Sequence, residues 1–143
     1  MSAPPVGDCP LFGRCGGCSR LDRPADLYAA EKRQAVADAL AGRGIEAEVI
    51  DPRTLKPLDL EPIVRSVQKT GRLVVVNEGH LTGGFTAEVA ARVQREAFDW
   101  LDAPTMQVAT EDVPLPYSGP LELEAIPKER DIVNAVLEVV HRR

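Results

Sequence analysis

From residue 25 onward the apolar side chains fall at two spacings. Ala29, Val36 and Leu40 recur at helical intervals between charged residues, with Gly42 and Gly44 behind them as stops, which predicts a helix over 25–41. Leu60, Ile63, Val64 and Val67 follow the i, i+3, i+4, i+7 rule between Asp59, a natural N-cap, and Gly71, a natural stop. A third stripe runs through Phe85, Val89, Val93 and Ala97 behind Gly83-Gly84 and ends near Leu101, and a fourth through Ile132, Val133, Val136 and Val140. Between the helices stand three short β-prone runs, Glu46–Ile50, Leu73–Val76 and Met106–Ala109. Leu73–Val76 is continuously apolar and mostly β-branched, so it is expected to be buried on both faces at the centre of its sheet. The order helix, strand, helix, strand, helix, strand, helix predicts an α/β fold, with crossovers around a small, mostly parallel sheet in a three-layer sandwich.

Two stretches break the pattern. Residues 1–24 are rich in Gly, Pro and Cys without apolar periodicity, and form an arm ahead of a domain over 25–143. Residues 113–120 hold three prolines and a glycine and read as a rigid surface connection. At the end of the third helix, Phe98 is expected in the core and Trp100 at a partly exposed interface.

Composition narrows the function classes. With 44% hydrophobic residues and only six aromatics the core must be aliphatic, and 143 residues suit one domain. The net charge of −5 divides into +1 over residues 1–44 and −6 over 45–143, which argues against a broad electrostatic grip on nucleic acid. No apolar run approaches the length of a membrane span, and the start lacks a basic and apolar leader, so a cytoplasmic protein without a membrane anchor is expected. Cys9, Cys15 and Cys18 are odd in number and closely spaced, which excludes a disulfide framework and leaves a metal site or free thiols.

Residues 44–140 resemble a known family. The runs Gly44-Ile-Glu-Ala-Glu-Val-Ile-Asp-Pro-Arg-Thr-Leu-Lys-Pro-Leu-Asp59, Lys69-Thr-Gly-Arg-Leu-Val-Val-Val76, Thr82-Gly-Gly-Phe85, Ala97-Phe-Asp-Trp-Leu-Asp-Ala-Pro104 and Asp112-Val-Pro-Leu-Pro-Tyr-Ser118 are similar, in matching order, to the C-terminal domain of the beta subunit of thiamine-diphosphate-dependent 2-oxoacid dehydrogenases. The resemblance implies a transketolase-C-terminal-like fold in a subunit that decarboxylates pyruvate or branched-chain 2-oxoacids beside an alpha subunit. It further implies that this domain builds subunit contacts and helps dock the dihydrolipoyl acyltransferase core. The groups that hold thiamine diphosphate lie mostly in a preceding domain of that family, so this chain alone is expected to be non-catalytic, with no catalytic or cofactor-binding residue of its own. Asn77-Glu78 stands where many members have His-Glu, and Leu81 where an Arg is frequent. The family's first strand is missing, which leaves a sheet edge for a partner chain and predicts a homo-oligomer.

The segment Cys9-Pro-Leu-Phe-Gly-Arg-Cys15-Gly-Gly-Cys18, with Tyr28 and Lys32-Arg33-Gln-Ala-Val36 behind it, resembles the cluster-binding start of S-adenosylmethionine-dependent RNA uracil-5-methyltransferases. That resemblance implies a [4Fe-4S] cluster on Cys9, Cys15 and Cys18, with a fourth position filled by water, a small ligand, Asp8, Asp22 or a histidine. Zinc with His80 or His141 is the neighbouring variant. The fourth cysteine, the glycine-rich cofactor motif and a cysteine nucleophile of that family are missing from this sequence, so its methyl transfer is not expected. An iron–sulfur or zinc-binding redox accessory is therefore the alternative function.

Four lesser features have plain readings. Gly83-Gly84 reads as a packing turn ahead of a helix rather than an anion site, and His80 as a solvated loop residue with only Glu78 near it in sequence. Asp112–Pro120 serves equally as a docking loop or a connector. Arg14, Arg20, Arg23, Lys32 and Arg33 are interleaved with Asp22, Asp26 and Glu31, which favours a solvated face over an RNA track.

Overall fold

Alanine supplies seven of the 17 residues of the first helix, α1 (Ala25–Ala41), and this propensity carries a helix with little apolar stripe. The computed structural model describes residues 24–52 and 54–141, and they fall into two compact units that divide between Asp51 and Pro52. In the first unit the Pro24 carbonyl accepts from the Tyr28 amide at 3.0 Å, so a fixed-φ residue opens α1. The turn behind it closes through Arg43 N to Leu40 O (2.9 Å) and Gly44 N to Ala41 O (2.9 Å). Both ends lie where the periodicity put them.

The second unit is an α/β layer structure. Helix α2 (Glu61–Thr70) buries Ile63 and Val67 and ends on Gly71 in the left-handed region (φ 69°), whose amide donates to Val67 O at 2.8 Å. The Asp59 carboxylate accepts from the Glu61 amide at 3.3 Å, one residue outside the cap at Leu60. Strand β1 (Val74–His80) leads into helix α3 (Phe85–Ala97), a short 3-10 turn (Phe98–Trp100) and strand β2 (Met106–Thr110). The strands are parallel, with Val74 opposite Met106, Val76 opposite Val108 and His80 opposite Thr110. Helix α4 (Gly119–Ala125) and helix α5 (Glu129–His141) complete the chain.

Val67, Val93 and Ala97 are almost wholly buried in one cluster with Leu58, Leu60, Ile63 and Val89, and Val75 of β1 packs against it. This is the α2–α3 layer on one side of the sheet. Helix α5 packs on both strands as well, and its buried Val133, Ala135 and Val139 stand apart from that cluster, forming the third layer. Arg72 ties the layers together, its Nε donating to Val139 O at 2.9 Å.

Five sequence expectations need correction. Glu46–Ile50 carries no strand, because a strand exists only where its backbone has a ladder partner, and the sheet of the described residues contains β1 and β2 alone. For the same reason Leu73–Val76 is not the centre of a sheet: Val74 and Val75 are half-buried and Val76 is exposed. Phe98 is not in the core. It follows Gln94 and Arg95 on the exposed face of α3, opposite the stripe of Val89, Val93 and Ala97, and is 62% exposed, beside Trp100 at 53%. The connection over 113–120 gives way at Gly119 to α4, with Pro120 at an N-terminal helical position that needs no amide donor. On α5 the buried face centres on Val133, Ala135 and Val139 rather than on Val136 and Val140, which are half-buried.

Candidate functional site

In open parallel sheets the chain crosses over beyond the carboxyl ends of the strands, and side chains meet there without being neighbours in sequence. In this protein that end is built by residues 77–84 after the regular part of β1 and by 110–125 after β2. The register slips between Val76 and His80, so that four steps on β1 match two on β2. The Asn77 side chain accepts from the Gly79 amide inside this irregular stretch, and the buried Thr110 hydroxyl donates to Glu78 O at 2.6 Å. An extra loop of strand held in this way re-aims the residues that follow it.

His80, Thr82 and Asp112 are what it re-aims. The His80 Nδ1 lies 3.0 Å from Glu111 O, and a carbonyl can only accept, so Nδ1 carries the proton. The Thr82 amide donates to Asp112 Oδ1 at 3.0 Å and the Thr82 hydroxyl to Asp112 Oδ2 at 2.5 Å. These bonds pin the β1–α3 loop to the loop after β2. The Thr82 hydroxyl, then its amide, hold the Asp112 carboxyl below the usual aspartate range, helped by the charge of nearby His80.

Gly83 and Gly84 make the turn between that clasp and α3. Gly83 has φ +70°, and a Cβ on Gly84 would land on the carbonyl oxygen of His80. The glycine pair is thus a close-packing turn, as the sequence suggested. Thr86, the second residue of α3, is buried, a position that hydrophobic patterning does not mark.

A pH prediction arises from the clasp. Asp112 is depressed in the folded chain, so its contribution is fully present above the ordinary aspartate range and is lost as pH falls through the lowered value. Asp112→Asn is expected to melt below the parent at neutral pH and to converge on it under strongly acid conditions. A melting difference that is constant with pH contradicts the clasp.

The same end of the sheet exposes Leu81, Val113, Leu115, Tyr117, Leu121 and Leu123. Tyr117 is fully exposed between Pro116 and Ser118. Phe98 and Trp100 sit at the other end, where Asp102 N donates to Gly71 O at 2.8 Å ahead of the first strand pair. Both ends therefore offer apolar side chains to solvent.

Cys9, Cys15, Cys18, Asp8, Asp22, Arg14, Arg20 and Arg23 lie outside the described residues. His80 and His141 stand in different places, at the end of β1 and at the end of α5, and no group of three metal-ligating side chains forms among the described residues. Lys32 lies over the Tyr28 ring, 4.7 Å from its centre, a local cation–π contact one helical turn along α1. The strand register also brings Asp112 to the same end of the sheet as His80, near enough for the His80 charge to act on its carboxyl. Among the described residues no helix is long and apolar enough to cross a membrane.

Comparison with known proteins addresses most of the chain. The family model "Transketolase, C-terminal domain" matches residues 29–132. The pyruvate dehydrogenase E1 component subunit beta of Rickettsia bellii is 52% identical over 105 residues, 73% of this chain and 32% of that protein. The subunit of the same name from Rhizobium meliloti is 45% identical over 106 residues, covering 74% of this chain and 23% of that protein. The mitochondrial subunit of Dictyostelium discoideum is 46% identical over 106 residues, with 74% and 30% covered. The chain thus spans a third or less of the length of these relatives.

Proposed function

The chain belongs to the transketolase C-terminal domain family, and from this premise we propose that it serves as an assembly and interaction domain of pyruvate dehydrogenase E1 beta type, without catalysis of its own. The observation that carries the reading is the identity of 52% over 105 residues to a beta subunit. The exposed apolar residues at both sheet ends support it, because surfaces of this kind mark protein contacts. The partner in this reading is a dehydrogenase alpha subunit, with a dihydrolipoyl acyltransferase core and a second copy of the chain as further contacts. Thiamine diphosphate and 2-oxoacid chemistry belong to the larger assembly, and the expected compartment is the cytoplasm.

Co-expression with the alpha subunit of a close relative tests this. The chain is expected to co-purify with it at equal stoichiometry and to bind no thiamine diphosphate when isolated. Purification of each chain alone, or tight cofactor binding by this chain, contradicts the reading.

The cysteine segment supports a second proposal, a three-thiolate iron–sulfur or zinc site on Cys9, Cys15 and Cys18, carried by their spacing. Protein purified without oxygen is expected to hold stoichiometric metal that disappears in the Cys9→Ser, Cys15→Ser, Cys18→Ser variant. Equal, trace metal in both proteins removes the site.

A further inference from the structure

Residues 111–125 leave the sheet after β2 and return to it, their ends joined by the Glu111 amide donating to Ala125 O at 3.4 Å. Thirteen of these 15 residues are exposed, all but Pro116 and Ala125. Pro114, Pro116 and Pro120, each with a fixed φ, stiffen the closed loop. The clasp of Asp112 on Thr82 fixes its base. The loop is therefore held out from the body with Leu115, Tyr117, Leu121 and Leu123 in solvent, a cost that folding alone gives no reason to bear.

Charge selects what covers it. The loop contains four carboxylates and no lysine or arginine. Asp112 is held by Thr82 and Glu124 by Lys128, while the side chains of Glu111 and Glu122 make no hydrogen bond or ion pair among the described residues. A twofold contact between two copies of this loop would bring these acidic groups face to face, which costs free energy in a desolvated interface. A partner that alternates aliphatic and basic side chains meets both features at once. The prolines reduce the entropy lost on binding, and the fully exposed Tyr117 is the type of residue that anchors such contacts.

We propose that the loop 111–125 is a docking surface for a basic, aliphatic segment of another protein, recognised by Tyr117, Leu121 and Leu123 with Glu111 and Glu122 as charge partners. The proposal deepens the interaction-domain reading and rests on it for its purpose, while its chemistry comes from the loop alone.

The test uses the full chain and labelled amphipathic peptides of equal length and leucine content, bearing lysine, glutamine or glutamate on the polar face. By fluorescence anisotropy the lysine peptide is expected to bind about tenfold or more tighter than the glutamate peptide, a preference that fades in molar salt. Glu111→Gln with Glu122→Gln is expected to erase the preference. Tyr117→Ser with Leu121→Ser is expected to erase binding, with the helical circular dichroism of the parent retained. Should that pair fail to fold, the solvent-facing glutamine pair decides alone.

Equal affinity for the three peptides, or a lysine preference that survives in the glutamine pair, overturns the proposal. So does a mass that doubles with concentration in the parent and stays single in the Tyr117→Ser, Leu121→Ser variant, since a second copy then covers the loop. Failed peptide binding in a chain that still co-purifies with an alpha subunit sinks this inference alone. Peptide binding without that complex sinks the family reading alone.

Discussion

Gly84→Ala is expected to cost about 3–5 kcal/mol of stability, the range reserved for substitutions the structure cannot absorb. The added Cβ would lie on the His80 carbonyl oxygen, and that atom is backbone at the end of β1, so no flexible side chain can swing away. Relief requires the β1–α3 turn to open, which pulls Thr82 from Asp112 and His80 from Glu111. The neighbouring glycine is the control. Gly83 has φ +70° but open space where its Cβ would sit, so Gly83→Ala carries only the left-handed backbone cost of about 1–2 kcal/mol. Urea unfolding midpoints are expected in the order parent, Gly83→Ala, Gly84→Ala. Equal midpoints for the two variants contradict the packing account of the turn.

The second large effect lies in the α2–α3 layer. Val93 is completely buried on the inner face of α3, in one cluster with Ile63 and Val67 of α2. Val93→Asp places a carboxylate where no charged or hydrogen-bonding partner faces it among the cluster's residues. The cost of an unpaired buried charge runs to several kcal/mol, on the order of the whole stability of a domain this size. The variant is expected to lose the cooperative unfolding transition and to expose dye-binding apolar surface at room temperature. Val93→Ala, which only removes methyl groups, is expected to keep the transition at a lower midpoint, by about 1–3 kcal/mol. A cooperative, parent-like transition in Val93→Asp contradicts the assignment of this cluster as the core.

The two substitutions also mark what the sequence made readable. Val89, Val93 and Ala97 were predictable because helical spacing repeats over four turns, and α1 was delimited to the residue by Pro24 and the glycines behind Ala41. Met106–Ala109 was legible because a short β-prone run stands between a helix end and a proline-rich loop. The strand at Leu73–Val76 is legible but its place in the sheet is not, since β-branched residues report strand preference and not how many neighbours a strand has. Phe98 differs from its expected place because aromatic character alone suggests burial, whereas its helical phase, four residues after Gln94 and three after Arg95, sets it on the exposed face of α3.

The site was less legible than the fold. Gly83-Gly84 was visible as a turn, but the clasp it serves joins Thr82 to Asp112, 30 residues away, and the parallel register alone brings them together. His80 lacked a partner in sequence for the same reason. Residues 113–120 stand out by their prolines, yet the closure between Glu111 and Ala125 and the exposure of Leu121 and Leu123 depend on α4, a seven-residue helix too short for periodicity to show. The family resemblance over residues 44–140, by contrast, was carried by contiguous motifs, and the match over 29–132 bears it out.

Sedimentation velocity of the full chain mixed with an alpha subunit from a close relative tests the central claim most directly. An assembly domain of beta-subunit type is expected to form a single faster species containing both chains, absent when either is run alone and weakened by Trp100→Ser or Tyr117→Ser at the exposed sheet ends. Two independent boundaries at every mixing ratio, with the chain itself folded and cooperative, would contradict it.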